Sequence, residues 1–266
     1  MGRRALRKVK TEHDFSYHFR RYEELRQLAG LSGPMPFVET GEDTSSAEEP
    51  DGDMEVGVEP GFVAELSSSR RTWSPATLFG RTSPLELEIG SGKGLFLRHA
   101  SRQFPDHDFL GVEIAPRYAQ YAGTMLARDG QRDGNGRRNA VCVAGDALIL
   151  LDELVADESL AAIHVYFPDP WWKARHRKRR VVQDSLARHA QRTLIPGGIL
   201  HFWTDVEEYF HSGVEAILAD SQLTGPIEPS EIPADHDLDY RTHFERRTRL
   251  AGLPVYRSEF HKKAEN

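Results

Sequence analysis

The chain has 266 residues, 39% of them hydrophobic and 28% charged, with one cysteine, Cys142, and a formal net charge of −7. This length supports one large core with appendages. A lone cysteine excludes an internal disulfide and a cysteine-rich metal framework, and fits a reducing compartment. No apolar run reaches membrane-spanning length, and "MGRRALRKVK" has no hydrophobic stretch behind its cations, so it reads as neither secretory signal nor anchor and points to a cytoplasmic protein.

Residues 1–37 read as a basic arm or helix. Phe15, Phe19, Tyr22 and Leu25 recur at three- and four-residue steps, which gives this segment a face that can dock on a body. Residues 38–69 carry ten Asp and Glu, no Lys or Arg and few large apolar side chains, which predicts a disordered acidic linker. Without those ten charges the rest of the chain stands at +3, a mildly basic body compatible with a polyanionic partner.

Residues 70–266 have a different texture. Five short apolar runs, "LELEI", "FLGVEI", "AVCVAGD", "AIHVYF" and "ILHFWTD", alternate with helical patterns, and "LIPGG" breaks the chain before the fifth. Strand and helix alternating at this spacing means βαβ units, hence a mostly parallel sheet with helices on both faces. Ligands of such sheets bind beyond the carboxyl ends of the strands, so the residues that end these runs form the candidate site.

The first run leads into "EIGSGKG", which places Glu88 before glycines at 90, 92 and 94. Alternate glycines allow a tight turn and close approach to a ligand, but the spacing is not the Gly-x-Gly-x-x-Gly of dinucleotide sites. Taken alone, the turn equally well only joins strand to helix. Glu113 ends the second run, where a carboxylate can accept both hydroxyls of a ribose or stand solvated. Asp146 in "GDA" ends the third, where it can bond an adenine amino group or cap the next helix. A glycine turn followed by acidic ends on two strands is the arrangement of class I S-adenosylmethionine-dependent methyltransferases. Acidic groups suit a ligand that carries an ammonium and a sulfonium and no pyrophosphate. Lys93, within the turn, is expected to point outward.

The fourth run ends in "VYFPDPWWKARHRKRR", a proline-flanked Asp169, two tryptophans and a block of cations. Trp171 or Trp172 can stack on a base, the alternative being packing at the sheet edge. The cations suit phosphate, the alternative being a solvated helix start. Histidines are scattered and lack partners at ligand spacing, so they read as surface or supporting residues and no metal is expected.

With "GVEI", "FWTDVEEYF" and "THFERR" in the same order, these motifs make residues 80–260 resemble the tRNA (guanine-N7-)-methyltransferases. The resemblance implies a Rossmann-like class I fold with a seven-stranded, mostly parallel sheet. It implies methyl transfer from S-adenosylmethionine to N7 of the guanosine at position 46 in the tRNA variable loop. It places Glu88, Gly90, Gly92, Gly94, Glu113, Asp146 and Asp169 on the cofactor side, with Asp169 also catalytic. Lys173, Asp205, Thr242, His243, Phe244 and Glu245 would bind the substrate guanosine, and Arg175, Arg177, Lys178, Arg179 and Arg180 would touch RNA. His243 stands where the family usually has Lys, Val206 where an aromatic is common, and Trp172 where a polar or small residue is frequent. Monomer and homodimer remain open. The rival readings are a methyltransferase for another RNA, a protein or a small molecule; a non-catalytic RNA-binding module; and, more distantly, a nicotinamide dehydrogenase.

Overall fold

The computed structural model describes residues 14–31, 73–134, 136–229 and 240–264. The acidic segment 38–69 and the first residues of the basic arm lie outside them. The central layer is an eight-stranded sheet. Its strands are β1 (Phe19–Arg21), β2 (Leu85–Ile89), β3 (Asp108–Glu113), β4 (Ala140–Ala144), β5 (Leu160–Tyr166), β6 (Leu194–Thr204), β7 (Thr224–Ile227) and β8 (Tyr256–His261), in spatial order β1-β4-β3-β2-β5-β6-β8-β7. The pairings from β1 across to β6 are parallel; β8 is antiparallel to both β6 and β7.

The five apolar runs correspond to β2, β3, β4, β5 and β6. Every residue of β3 and β4 is buried, as expected for parallel strands covered on both faces. Chain order runs outward from β2 through β3 to β4, then restarts on the other side of β2 with β5 and β6. The switch between β2 and β5 leaves a crevice at the carboxyl ends of the strands. The helices are α1 (Tyr22–Leu28), α2 (Ala76–Phe79), α3 (Leu95–Gln103), α4 (Pro116–Arg132), α5 (Ala147–Glu153), α6 (Asp184–Thr193), α7 (Glu207–Ala219) and α8 (His243–Leu250). The core forms on both faces of the sheet. One cluster includes Leu87, Leu110, Leu150, Leu186, Phe202 and Tyr209; the other includes Phe96, Leu97, Phe109, Ala122 and Leu126 from α3, β3 and α4.

Two expectations need correction. The sheet has eight strands, not seven, because Phe19–Arg21 of the basic arm pairs in parallel with β4. Tyr22 and Leu25 of α1 then enter the core, with Leu25 fully buried; sealing such a side chain from water contributes about 1.5–3 kcal/mol. The arm is therefore partly integral to the sheet. Second, "LIPGG" ends α6 as expected, with Leu194 as its C-cap, but it does not precede the fifth strand. It lies inside β6 as an irregularity: Leu194 pairs with Leu160, and the register shifts before Ile199 pairs with Ala162. Gly197 sits at φ +81° there, which a glycine adopts without steric cost.

Candidate active site

The glycine turn joins β2 to α3. Gly90 and Gly94 have φ of +79° and +71°, and a Cβ on Gly94 would lie 2.7 Å from Cβ of Ala122, so the third glycine lets α3 approach α4. A Cβ on Gly90 would meet nothing within 4 Å, so the turn is open there. Lys93, in the turn, is half-buried. Glu113 fixes this turn from β3: its Oε2 accepts from Gly92 N–H at 2.9 Å and its Oε1 from Ala115 N–H at 2.9 Å. Gly145 N–H in turn donates to the Glu113 carbonyl at 3.1 Å, which ties the end of β4 to the same place. Asp146 is the N-cap of α5, its Oδ1 accepting from Leu148 and Ile149 N–H at 2.8 and 3.3 Å. The capping alternative is thus realised at this position.

Glu88 is 3% exposed, and its Oε2 has no hydrogen-bond partner among the described residues. Burial pushes its carboxyl up to about 8, helped by the charge of Glu113 and opposed by Ser91. A buried carboxyl oxygen without a partner is costly unless something completes it. Beside an open glycine turn and a second carboxylate, a cationic, hydrogen-bonding ligand would do so. The residues present fit S-adenosylmethionine on this ground: Glu88 and Glu113 supply acidic groups for its positive charges.

Across the switch, β5 delivers the Pro-Asp-Pro turn. Phe167 and Trp171, which flank it, both have positive φ, +52° and +46°. Non-glycine residues in that region carry on the order of 1–3 kcal/mol of strain each and mark sites where backbone direction is imposed by the surroundings. One restraint is plain: Arg180 donates from Nε to the Pro170 carbonyl at 2.8 Å and from its terminal nitrogens to Glu208 at 2.6 and 3.2 Å, with its guanidinium 4.6 Å from the centre of the Tyr209 ring. Asp169 itself is exposed at the crest of the turn.

The basic block departs from its expected form. It is not the start of the next α-helix but a separate 3₁₀ segment, Ala174–Arg179, and α6 begins only at Asp184. Lys173, Arg175, Arg177, Lys178 and Arg179 are exposed. Arg180 is not: its side chain is 7% exposed and engaged by Glu208, so it clamps the turn and is removed from the RNA-facing set. Arg177 also approaches Glu208, at 3.6 Å. Arg179 lies over the Trp171 ring at 5.2 Å, whereas Trp172 is 68% exposed. Asp205 is exposed at the end of β6.

The "THFE" motif has a structural meaning that its sequence already carried. Thr242 caps α8, with its Oγ1 accepting from Glu245 N–H at 3.0 Å; the Glu245 carboxylate accepts in return from Arg241 N–H at 2.7 Å and from Arg249 at 3.2 Å. This closely resembles a capping box, whose signature is Ser or Thr followed three residues later by Glu or Gln. Glu245 is 2% exposed. The expectation that it contacts the guanosine is therefore corrected: its carboxylate holds the start of the helix. His243 and Phe244 are exposed at that start, with the Phe244 ring stacked at 6.3 Å on Phe167 beside the Pro-Asp-Pro turn.

Two histidines take the supporting alternative, inside the sheet. His164 and His201 are buried in the sheet and stack ring to ring at 4.7 Å. The available signal was a polar residue at alternate positions, His164 with Tyr166 and His201 with Trp203, in strands otherwise apolar throughout.

A family model described as "Putative methyltransferase" matches residues 82–258. A tRNA (guanine-N(7)-)-methyltransferase of Rhodopirellula baltica is 47% identical over 199 residues, 73% of this chain and 71% of that protein. The protein of the same name in Alcanivorax borkumensis is 37% identical over 72% of this chain and 77% of its own length. Among solved structures, the antibiotic-resistance methyltransferase Kmr aligns with a TM-score of 0.48 and 17% identity over 73% of this chain and 95% of its own. With the family model spanning most of the chain and relatives this similar over most of their own length, the chain belongs to the tRNA (guanine-N7-)-methyltransferase family, within the class I S-adenosylmethionine-dependent methyltransferases.

Proposed function

We propose that the crevice performs the reaction after which the family is named, placing the methyl group of S-adenosylmethionine on N7 of guanosine 46 in the tRNA variable loop. The observation that carries this reading is the juxtaposition at one switch point of a buried carboxyl with an unpartnered oxygen, Glu88, and a strained, clamped Pro-Asp-Pro turn that opens into exposed cations. The bound cofactor supplies an activated methyl group. Glu88 and Glu113 would hold its cationic and ribose parts, with Asp146 beside them at the end of β4.

The base side needs no general base. N7 of guanine already has an in-plane lone pair and carries no proton, so the task of the protein is alignment, which can lower a barrier by about 7–11 kcal/mol. Asp169 can accept from N1–H and the 2-amino group of guanine, whereas adenine would present an acceptor there and be repelled. Its charge also favours the cation that N7 becomes. Trp172 offers a stacking face worth about 1–3 kcal/mol. Arg175, Arg177, Lys178 and Arg179 would engage phosphates, and Lys173, Asp205, Thr242, His243 and Phe244 would border the guanosine. Folded tRNA buries this base, so the enzyme extrudes it at some cost. A cytoplasmic location would suit a tRNA substrate; no helix among the described residues is long and apolar enough to cross a membrane.

Transfer of a tritiated methyl group tests the substrate class. Intact tRNA should accept label and RNase-treated tRNA should not. Equal labelling of protein or of small molecules in the digest would overturn the reading.

A further inference from the structure

A line of polar side chains crosses the sheet behind this site. Glu86 accepts from His107 at 2.6 Å through Oε1 and from Nε2 of His164 at 2.7 Å through Oε2. Nδ1 of His164 meets the Tyr166 hydroxyl at 2.9 Å, and that hydroxyl accepts from Arg241 at 2.9 Å. The proton positions follow from the two ends. Arginine only donates, so Tyr166 receives from Arg241 and donates onward; His164 must then accept at Nδ1 and carry its proton at Nε2, toward a carboxylate that only accepts. Burial pushes His164 down to about 4, with Glu86 opposing and His201 and Arg241 adding to the shift, so the ring is neutral as this tautomer requires. The chain thus runs from a cation to an anion with every link in one sense, an arrangement in which each bond polarises the next.

Its outer end is the segment before α8. The Arg241 guanidinium also lies 4.8 Å from the centre of the Trp203 ring, and its backbone N–H bonds Glu245. The next residue, Phe167, just past the end of β5, stacks on Phe244. Two consecutive residues of one chain segment, Tyr166 and Phe167, therefore tie the start of α8 to the strand whose next residues form the Asp169 turn. Well-packed apolar residues often replace buried charged groups with no loss of stability; a directional chain additionally fixes where its end stands.

We propose that Glu86, His164 and Tyr166 are positioning residues that set Arg241, and through it residues 241–245, against the Asp169 turn, so that they govern tRNA use and leave cofactor binding untouched. The tRNA part rests on the function proposed above.

The test is Tyr166→Phe, which removes one hydroxyl, alongside Arg241→Ala and the double variant. For each, kcat and KM with a tRNA transcript, the Kd for S-adenosylmethionine, the melting temperature and the amide exchange of residues 242–250 are measured. Tyr166→Phe should lower kcat/KM for tRNA about tenfold, the scale of one hydrogen bond to a charged group, and speed exchange at the start of α8 by a similar factor. Cofactor affinity should stay within about twofold and exchange in β2 to β4 should not change. Because Tyr166 acts through Arg241, the double variant should be no worse than Arg241→Ala alone. Unchanged kinetics and exchange, equal losses of cofactor and tRNA affinity, or multiplying effects in the double variant would overturn the proposal. Exchange and its coupling are read without substrate, so they still decide the positioning role if the wild-type chain fails to methylate tRNA, a failure that would refute the proposed function instead.

Discussion

The two halves of the strand-end edge are built on opposite plans. On the β2–β4 side the polar groups are carboxylates held by backbone N–H groups: Glu113 by Gly92 and Ala115, Asp146 by Leu148 and Ile149. On the β5–β6 side they are exposed side chains on turns whose backbone is restrained from behind, by Arg180 under the Pro-Asp-Pro turn and by Arg241 before α8. A small cationic ligand gains from a buried, preorganised acidic wall. A polyanion gains from exposed charges that adapt to a backbone, provided the one group that addresses the base does not move.

The largest effect should come from the crest of the restrained turn. Asp169→Ala should lower kcat about 10²- to 10³-fold, the scale of a lost electrostatic contact to a developing charge. Because the side chain is exposed, the melting temperature should hold. Near-native turnover in steady-state assays would remove Asp169 from the mechanism.

Next, Glu113→Ala releases the glycine turn and removes the proposed ribose acceptor together. Calorimetry should show cofactor affinity falling about tenfold or more while tRNA affinity changes little. The reverse order would mean that the halves are not functionally distinct.

Within the basic block the comparison sharpens further. Arg180→Ala should cost about 2 kcal/mol of stability by leaving the Pro170 carbonyl and Glu208 without their partner, seen as a lower melting temperature. Replacing Arg177, Lys178 and Arg179 together with Ala should leave melting unchanged and flatten the slope of log tRNA affinity against log salt by about 2. It should weaken different tRNAs alike, since phosphate contacts carry no base information. Equal behaviour of the two variants would erase the division between clamp and RNA surface.

The smallest effect concerns protons at Glu88. The folded carboxyl titrates at about 8 against an ordinary value of 4.5. Its contribution to stability is therefore fully present below 4.5 and lost as pH rises through about 8. A cationic ligand favours the ionised form, so cofactor binding should release a proton near neutrality and tighten as pH climbs toward 8. Glu88→Gln should remove that component of the pH dependence; an identical profile in the variant would contradict the assignment.

How much of this was legible in the sequence depended on the kind of signal. The central strands were readable because parallel strands are apolar throughout, and the strand-end carboxylates because a polar residue closing such a run has only one edge to face. The inward turn of Arg180 was not readable: within "RHRKRR" only the tertiary position of Glu208, on a helix 28 residues away, distinguishes it from its neighbours. The alternation of His164 and Tyr166 stood in the sequence, but its meaning needed Glu86 from another strand and Arg241 from the far end of the chain. The capping pattern in Thr242 and Glu245 was local and readable, and was masked by the family motif it overlaps.

The most direct measurement maps the methyl group. Unmodified tRNA transcripts with and without the variable-loop guanosine are incubated with enzyme and S-adenosylmethionine, then cleaved chemically at 7-methylguanosine. The account predicts a single cut at that guanosine in the first transcript and none in the second. Cleavage elsewhere, or label incorporated without any cleavage, would contradict it.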